Sequence, residues 1–156
     1  MQLLVSAVVF AFLVSCVTST PVQSCTGGPH ERSNDYTIGT CERPPCKLKR
    51  KSTINLELKF KPDTDLPSLK NDVHAKIIGV PFPFIGVDGT SACGQIYLPD
   101  GTKASCPLKA GQDYVYKNSF EILEIYPKLK VNVHWALLGP KNKNVICFNV
   151  PAKITS

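Results

Sequence analysis

Six of the seven cysteines in this 156-residue chain lie after position 20, and this even set constrains the fold more than any other feature. An even number of cysteines behind a secretory leader is typical of a disulfide framework, because an oxidising compartment keeps paired thiols crosslinked. Six cysteines allow fifteen pairings, and the residues alone do not choose among them. Nearness in the chain favours two short bridges and leaves one long one: Cys41 to Cys46, Cys93 to Cys106, and Cys25 to Cys147.

Residues 1–19 are predicted to be a signal peptide, which leaves a mature domain of residues 20–156. Residues 1–17 carry no charged side chain, and the apolar run at residues 3–14 has the length of a signal-peptide core. That run is well short of the roughly 20 residues that span a bilayer, so removal is expected rather than anchoring. Val17 and Ser19 are small enough to flank a cleavage site, so we expect cleavage after Ser19.

The chain carries a formal net charge of +6, and its basic cluster consists of Lys47, Lys49, Arg50 and Lys51. Such a cluster is typical of a surface that meets anionic lipid, an acidic partner or nucleic acid. Secretion makes nucleic acid the poorest of these partners, so no nucleic acid is predicted. A solvated edge that keeps the protein in solution explains the cluster equally well. Transient contact with anionic membranes therefore stays one of the open interpretations.

Apolar and polar residues alternate with a period of two in several segments, as expected for strands with one buried face. The clearest case is residues 53–61, where every second side chain is apolar. Further strands are predicted at residues 73–77, 114–126, 129–137 and 145–150. The segment 114–126 is either one bent strand or two strands. Because no segment has a convincing helical period, the chain is predicted to be all-β, an immunoglobulin-like β-sandwich of about seven strands.

No constellation of residues in the sequence indicates catalysis or metal binding. His30, His74 and His134 lack the spacing of metal ligands, and neither a serine-nucleophile motif nor a zinc-protease motif occurs. His74 and His134 fall on the polar phase of their strands, where a solvated histidine is the ordinary outcome. The scattered acidic residues suggest no paired carboxylates. We therefore predict a protein that is not an enzyme, with no catalytic residue, no metal ion and no cofactor.

Five short segments of the sequence together resemble one known family. They are Cys-Glu-Arg-Pro-Pro-Cys at 41–46, Gly-Val-Pro-Phe-Pro-Phe at 79–84, Tyr-Pro-Lys-Leu-Lys at 126–130, His-Trp at 134–135 and Cys-Phe-Asn-Val-Pro at 147–151. Their order is similar to that in the Niemann-Pick type C2 proteins of the ML lipid-recognition family, and the resemblance covers nearly all of the mature chain. It implies a seven-stranded sandwich whose sheets part to hold a lipid. It also implies the three disulfides that chain proximity favours.

The resemblance further implies which residues bind the lipid. By matched position, the entrance falls on Ile38, Phe84, Ile122, Tyr126 and Pro127. The deeper walls fall on Leu56, Leu58, Val73, Phe82, Tyr116, Phe120, Trp135 and Phe148. Phe82 and Phe120 are larger than the Val and Leu that are usual at these positions in mammalian members. Because extra ring volume competes with the ligand for space, a flexible fatty-acid chain is favoured over the rigid sterol of those members.

The sequence contains no Asn-x-Ser/Thr sequon, so no N-glycan is expected. Without that glycan, the mannose-phosphate route by which mammalian relatives reach lysosomes is closed, which favours the extracellular space over the lysosomal lumen. The resemblance thus implies a secreted, monomeric carrier of a fatty acid, a sterol or a related semiochemical, as in arthropod members of the family. The alternative is an innate-immunity or adhesion-type module that recognises a protein or a microbial lipid.

Overall fold

Two β-sheets face each other in the computed structural model of this chain, which describes residues 18–27 and 35–156. Most of the predicted signal peptide lies outside the described residues, as does His30. The strands, in chain order, are β1 (Gln23–Ser24), β2 (Tyr36–Ile38), β3 (Cys46–Lys49), β4 (Thr53–Phe60), β5 (Lys70–Ile77), β6 (Val80–Pro83), β7 (Ile96–Tyr97), β8 (Tyr114–Glu121), β9 (Lys130–Leu138) and β10 (Asn144–Thr155). Short 3-10 helices at Cys93–Gln95 and Pro140–Asn142 precede β7 and β10. In this described part, no helix has the length and apolar character that a bilayer crossing requires.

The larger sheet has the strand order β1-β10-β9-β5-β6, with β3 also paired to β10. The last strand is long enough to pair with β1 around Phe148 and, further along, with β3 at residues 152–155 in parallel. β9 pairs antiparallel with β10 on one side and with β5 on the other, which places it in the middle of the sheet. β6 pairs with β5 alone among the described strands, so it forms one edge of this sheet.

The smaller sheet has the order β2-β4-β8-β7, and β4 and β8 pair along all eight residues of each strand. Side chains from both sheets meet in one core, where Leu58 and Tyr116 of the smaller sheet and Val73 and Phe148 of the larger sheet have no exposed surface. The predicted all-β, immunoglobulin-like sandwich is confirmed. Seven of the described strands have four or more residues, in agreement with the predicted number.

The period-two alternation identified the main strands correctly. In β4, Leu56, Leu58 and Phe60 are buried as predicted, because every second side chain of a strand faces the same side. The segment 114–126 contains a single strand that ends at Glu121. There Ile122 leaves the ladder, its N–H donating to the Ser52 carbonyl at 2.9 Å. The strand predicted at residues 145–150 lies within β10, which continues for five more residues.

The three disulfides implied by the resemblance are present in the structure. Cys25 and Cys147 are joined across 122 positions, and the bridge lies where β1 pairs with β10, so it ties the first strand to the last. A loop of this length is one whose closure stabilises the fold by roughly 4 to 5 kcal/mol in the chain-entropy model. The other two bridges close short loops, Cys41 to Cys46 and Cys93 to Cys106.

The two histidines predicted to be solvated are less exposed than expected, and this prediction is corrected. His74 and His134 do lie on the outer face of the larger sheet, but their side chains are only 18% and 15% exposed. They lie directly opposite each other on β5 and β9, and their rings stack with centroids 4.5 Å apart. The alternation within one strand does not show which side chain lies opposite it on the neighbouring strand. The sequence therefore did not predict that the two histidine rings shield each other from solvent.

Candidate functional site

An apolar cleft of about 460 Å³ opens where the β5–β6 edge of the larger sheet meets the connection between β8 and β9, residues 122–129. Its volume lies within the usual range of ligand pockets, about 300 to 1,000 Å³. The cleft is lined by Ala75, Ile77, Phe82, Pro83, Phe84, Ile85, Ile125, Tyr126, Pro127 and Ile154. Among the side chains of these residues, the Tyr126 hydroxyl is the single polar atom. A hollow of similar size around Arg43 and Lys47 mixes charged and apolar side chains, so it is less suited to an apolar ligand.

Two hydrogen bonds from main-chain N–H groups hold in place the two lips of the cleft, the first lip at residues 82–85 and the second lip at residues 125–127. The Phe84 N–H donates to the Val73 carbonyl at 3.0 Å, which keeps the first lip on β5 beyond the end of β6. The Ile85 N–H donates to the Tyr126 hydroxyl at 2.9 Å, which joins the first lip to the second. Pro83 lines the cleft and also lies in the edge strand, where proline removes a donor that a further strand would need.

A second and much smaller cavity lies between the two sheets. Its volume is about 20 Å³, which is room for about one water molecule. Every lining residue is apolar: Ile38, Cys46, Leu48, Leu56, Phe84, Phe120, Val133, Trp135, Phe148, Val150 and Ala152. Phe84 lines both this inner cavity and the open cleft. Side chains therefore fill the interior of the sandwich, and one ring separates it from the cleft.

A row of aromatic rings leads from the cleft into the interior. Phe84 makes edge-on contacts with Tyr126 and with Phe120, at centroid distances of 5.6 and 5.8 Å. Phe120 packs on Trp135 at 5.3 Å, and Trp135 contacts Tyr116 at 6.4 Å. Each aromatic contact contributes about 0.5 to 1.5 kcal/mol beyond the burial of area. Apolar ring contacts hold the Phe84 side chain between the open cleft and the inner cavity.

Two polar groups lie deep in the core. The Tyr116 hydroxyl donates to Asn71 Oδ1 and accepts from Asn118 Nδ2, both at 2.7 Å. Burial raises the pKa of Tyr116 above its ordinary value, against the hydrogen bonds of the two asparagines, so the phenol stays neutral. The indole N–H of Trp135 is buried without a hydrogen-bond partner among the described residues. It is a donor that an oxygen atom of a guest or a water molecule would satisfy.

The residues predicted at the entrance separate into three groups. Phe84, Tyr126 and Pro127 line the open cleft. Ile38 lines the inner cavity instead. Ile122 has no exposed surface and belongs to the lining of neither space. The structure therefore brings three of the five to one opening.

The residues predicted as deeper walls lie in three different places: the inner cavity, the packed core and the open cleft. Four of them line the inner cavity: Leu56, Phe120, Trp135 and Phe148. Three pack in the core without lining either space: Leu58, Val73 and Tyr116. The prediction of Phe82 as a wall residue is corrected, because its side chain is 50% exposed on the edge strand and lines the cleft. Its ring therefore takes no room from the inner cavity, whereas the ring of Phe120 does.

Several lining residues were not predicted. Val133 lines the inner cavity and shares the apolar phase of β9 with Trp135, so the alternation could have found it. Ile85 and Ile125 line the cleft from connections, where no alternation exists. Ile154 lies in β10 beyond the end of the strand predicted from the sequence.

The basic cluster adjoins the second lip of the cleft. Arg50 Nη1 donates to the Glu124 carbonyl at 2.9 Å, and Lys51 Nζ lies 2.8 Å from Glu124 Oε1. Glu124 directly precedes Ile125, which lines the cleft. Exposed ion pairs of this kind contribute about 0 to 1 kcal/mol, so the contact is more informative about position than about stability. It places positive charge beside an apolar opening.

Comparison with known proteins gives a consistent result. Residues 19–154 match the family model described as ML domain (E1_DerP2_DerF2). The chain is 34% identical over 112 residues to the ecdysteroid-regulated 16 kDa protein of Manduca sexta, across 70% of each chain. It is 30% identical over 122 residues to NPC intracellular cholesterol transporter 2 of Bos taurus, across 77% of this chain and 75% of the other. A solved Niemann-Pick type C2 protein from Japanese carpenter ant superposes with a TM-score of 0.64 at 25% identity, covering 88% of this chain and 95% of that one.

Proposed function

This chain belongs to the ML-domain family, and on that premise we propose that it is a non-enzymatic carrier of one lipid with a long apolar tail. The observation that carries the proposal is the position of Phe84, whose ring lines both the open cleft and the inner cavity. Displacement of this one ring joins two apolar spaces into a passage between the sheets. The bovine relative, named as a cholesterol transporter, supports a hydrophobic cargo.

Burial of the tail supplies the affinity of the proposed complex. Each methylene that leaves water for an apolar site gains about 0.8 kcal/mol, so ten methylenes gain roughly 8 kcal/mol. Entry costs the two aromatic contacts of Phe84, with Tyr126 and Phe120, at about 0.5 to 1.5 kcal/mol each. The free energy gained by burying a few methylenes therefore exceeds the cost of moving the Phe84 ring. Burial of the remaining methylenes offsets the entropy that the ligand loses on binding.

The packing of the interior favours a long-chain fatty acid over a sterol. The inner cavity has a volume of only about 20 Å³, and the rings of Phe120 and Trp135, which both line it, are in contact with each other. A flexible chain displaces such side chains one after another, whereas a fused ring system has to displace several at once. We therefore propose a long-chain fatty acid as the cargo, and a sterol or a related semiochemical as the competing ligands to measure beside it.

The head group is proposed to stay at the mouth of the cleft. The Tyr126 hydroxyl accepts a hydrogen bond from the Ile85 N–H at 2.9 Å, so its own proton can still be donated to a carboxylate. The basic cluster beside the same lip favours an anionic head group. The tail then enters first, past Phe84.

Two exposed isoleucines at different distances from the cleft provide the test of this route. Ile125 lines the cleft and is 74% exposed, whereas Ile78 is 99% exposed at the β5–β6 turn and does not line it. We expect Ile125→Asp to weaken the binding of a fluorescent fatty acid by about tenfold, or ~1.4 kcal/mol, because the charge meets the apolar tail. Ile78→Asp, the matched control, should bind with the affinity of the wild type.

Phe84→Asp and Tyr126→Asp are expected to weaken binding further, since they place charge in the passage itself. Far-UV circular dichroism verifies that each variant is folded. Wild-type affinity in the folded Ile125, Phe84 and Tyr126 variants would refute entry at this cleft.

Lipid retained by the purified protein distinguishes a carrier from the innate-immunity or adhesion-type module. Extraction into organic solvent followed by mass spectrometry should recover a long-chain lipid in near-equal amount to the protein. An empty protein that binds a defined protein partner with undiminished affinity after Phe84→Asp would favour the module.

We further propose that the carrier touches anionic membranes when it transfers its cargo. Five large apolar side chains are exposed at or near the cleft, and one of them, Ile125, follows the Glu124 that Arg50 and Lys51 contact: Ile78, Val80, Phe82, Ile85 and Ile125. Apolar side chains next to positive charge suit the surface of an anionic bilayer. Transfer between vesicles should accelerate with anionic lipid and slow with salt, and Ile78→Asp should slow it without changing equilibrium affinity. Rates that ignore lipid charge and salt would exclude this contact.

We also propose an extracellular location and a monomeric state. Bridges such as Cys25 to Cys147 form and persist in oxidising compartments, which supports export. The absence of a sequon supports the extracellular space over the lysosome. Mass spectrometry of the protein recovered from culture medium should give a chain that begins after Ser19, and light scattering should give the mass of one such chain.

A further inference from the structure

Three side chains of metal-binding type lie together on the outer face of the larger sheet, and none of them lines the cleft. Asp72 and His74 are two residues apart on β5, so they point to the same side. His134 lies directly opposite His74 on β9. The proposed lipid carriage uses none of these three residues, so any role of this cluster is independent of it.

The three side chains are close enough to meet one ion. His74 Nδ1 lies 3.4 Å from Asp72 Oδ1, and His134 Nε2 lies 3.9 Å from Asp72 Oδ2. One ligand atom from each residue lies within 4.8 Å of the other two. The ligand atoms of a tetrahedral Zn²⁺ are ~3.3 Å apart at bond lengths of ~2.0 to 2.1 Å. Small rotations of the side chains therefore bring all three onto one ion.

Asn149 determines which nitrogen of His134 is available. His134 Nδ1 lies 3.1 Å from Asn149 Oδ1, an amide oxygen that only accepts hydrogen bonds. Nδ1 therefore carries the proton, and the lone pair is left on Nε2, the atom that faces Asp72. Metal-binding histidines are ordinarily oriented in this way, by an acceptor on their other nitrogen.

We propose that Asp72, His74 and His134 form a site for one divalent transition-metal ion, with Zn²⁺ as its reference occupant. Two imidazole nitrogens and one carboxylate oxygen are ligand types that Zn²⁺ accepts, and three protein ligands leave a fourth position for water. The half-exposed Asp72 side chain gives the ion access from solvent. A bound ion would fasten β5 to β9.

Neighbouring groups limit the site to these three ligands. The sulfurs of Cys25 and Cys147 lie 3.7 and 3.8 Å from ring nitrogens of His134, but they are joined in a disulfide and provide no thiolate. Lys76 follows on the same face of β5 and opposes a cation, yet its exposed side chain is free to turn away. The Asp72 carboxylate still brings a negative charge to the ligand set, which favours a divalent cation.

Titration of Zn²⁺ alone into the mature protein, without a histidine tag and with its disulfides intact, tests the proposal by calorimetry. We expect one ion per chain, and affinity at least tenfold weaker in Asp72→Asn and in His74→Ala. Asn149→Ala should weaken binding by about tenfold because it frees the ring of His134, and Asn149→Asp should restore it because it keeps the acceptor. Zn²⁺ should raise the Tm of the wild type and leave that of His74→Ala unchanged.

His30→Ala is the matched control, since His30 is the remaining histidine of the chain. Zn²⁺ affinity should be unchanged in this variant. Asp72→Asn preserves the size of the side chain, so loss of binding in this folded variant is a loss of a ligand. No heat of binding in the wild type, or wild-type affinity in both Asp72→Asn and His74→Ala, would overturn the proposal, as would loss of binding in His30→Ala alone.

Discussion

The open cleft and the inner cavity have the same apolar chemistry but very different volumes, about 460 and 20 Å³. The cleft is built largely from the edge strand β6 with the two residues after it and from the connection at residues 122–129, and Ala75, Ile77 and Ile154 of paired strands complete it. The inner cavity is built from paired strands of both sheets. The comparison teaches that the room for a guest is set by packing and not by the hydrophobicity of the lining. Phe84 lines both regions, so it marks the boundary between the open cleft and the densely packed interior.

The largest effect is expected on the inner side of this comparison. Trp135→Ala removes a buried ring that packs on Phe120 and Tyr116, and it should lower the free energy of unfolding by about 3 to 5 kcal/mol. Urea denaturation followed by far-UV circular dichroism measures the loss. A loss below about 1 kcal/mol would show that the interior is as loosely packed as the cleft.

Phe84→Ala removes the partition between the two regions. We expect a loss of about 3 kcal/mol in the free energy of unfolding, because the ring is buried but faces the cleft on one side. The affinity for a sterol relative to a straight-chain fatty acid should rise by about tenfold, or ~1.4 kcal/mol, since the passage becomes wider. Competition binding measures this ratio, and a ratio equal to that of the wild type would contradict the role of the partition.

Tyr126→Phe separates the two lips of the cleft without changing its apolar lining. The substitution removes the hydroxyl that accepts from the Ile85 N–H, at a cost of about 0.5 to 1 kcal/mol in the free energy of unfolding. The Ile85 amide should then exchange its hydrogen faster, because the first lip is no longer tied to the second. Hydrogen exchange followed by NMR tests this, and unchanged protection would mean that another contact joins the lips.

The smallest effect is expected for Phe82→Ala, the matched control for Phe84→Ala two residues away. Phe82 is half-exposed on the edge strand, so its truncation should change the free energy of unfolding by less than about 0.5 kcal/mol. Chemical denaturation of the two variants side by side gives the comparison. A loss as large as that in Phe84→Ala would return Phe82 to the core, where the resemblance had put it.

The alternation of apolar residues predicted which strand faces are buried, because the geometry of a strand depends only on the local chain. Leu56, Leu58 and Trp135 are in the interior for this reason. The same alternation could not show that Phe82 is exposed and Phe84 is buried. Both fall on one phase, yet the first is on an uncovered edge strand and the second lies past its end, where the chain turns into the core.

Features that depend on register and packing were not predictable from the sequence. The contact between His74 and His134 arises from the register of β5 on β9, which no local pattern encodes. The volume of the inner cavity likewise depends on how side chains of both sheets interlock. Of the positions matched to the family's ligand entrance, Tyr126 and Pro127 line the open cleft, whereas Ile122 is buried and lines neither space.

Trp135 is the single tryptophan of the chain, and it lines the inner cavity. Its fluorescence therefore reports on the interior alone, without any added label. A fatty acid brominated near the end of its tail should quench the indole emission through heavy-atom contact, whereas bromine next to the carboxylate should leave it bright. The protein thus contains an optical probe of how deeply a cargo is inserted.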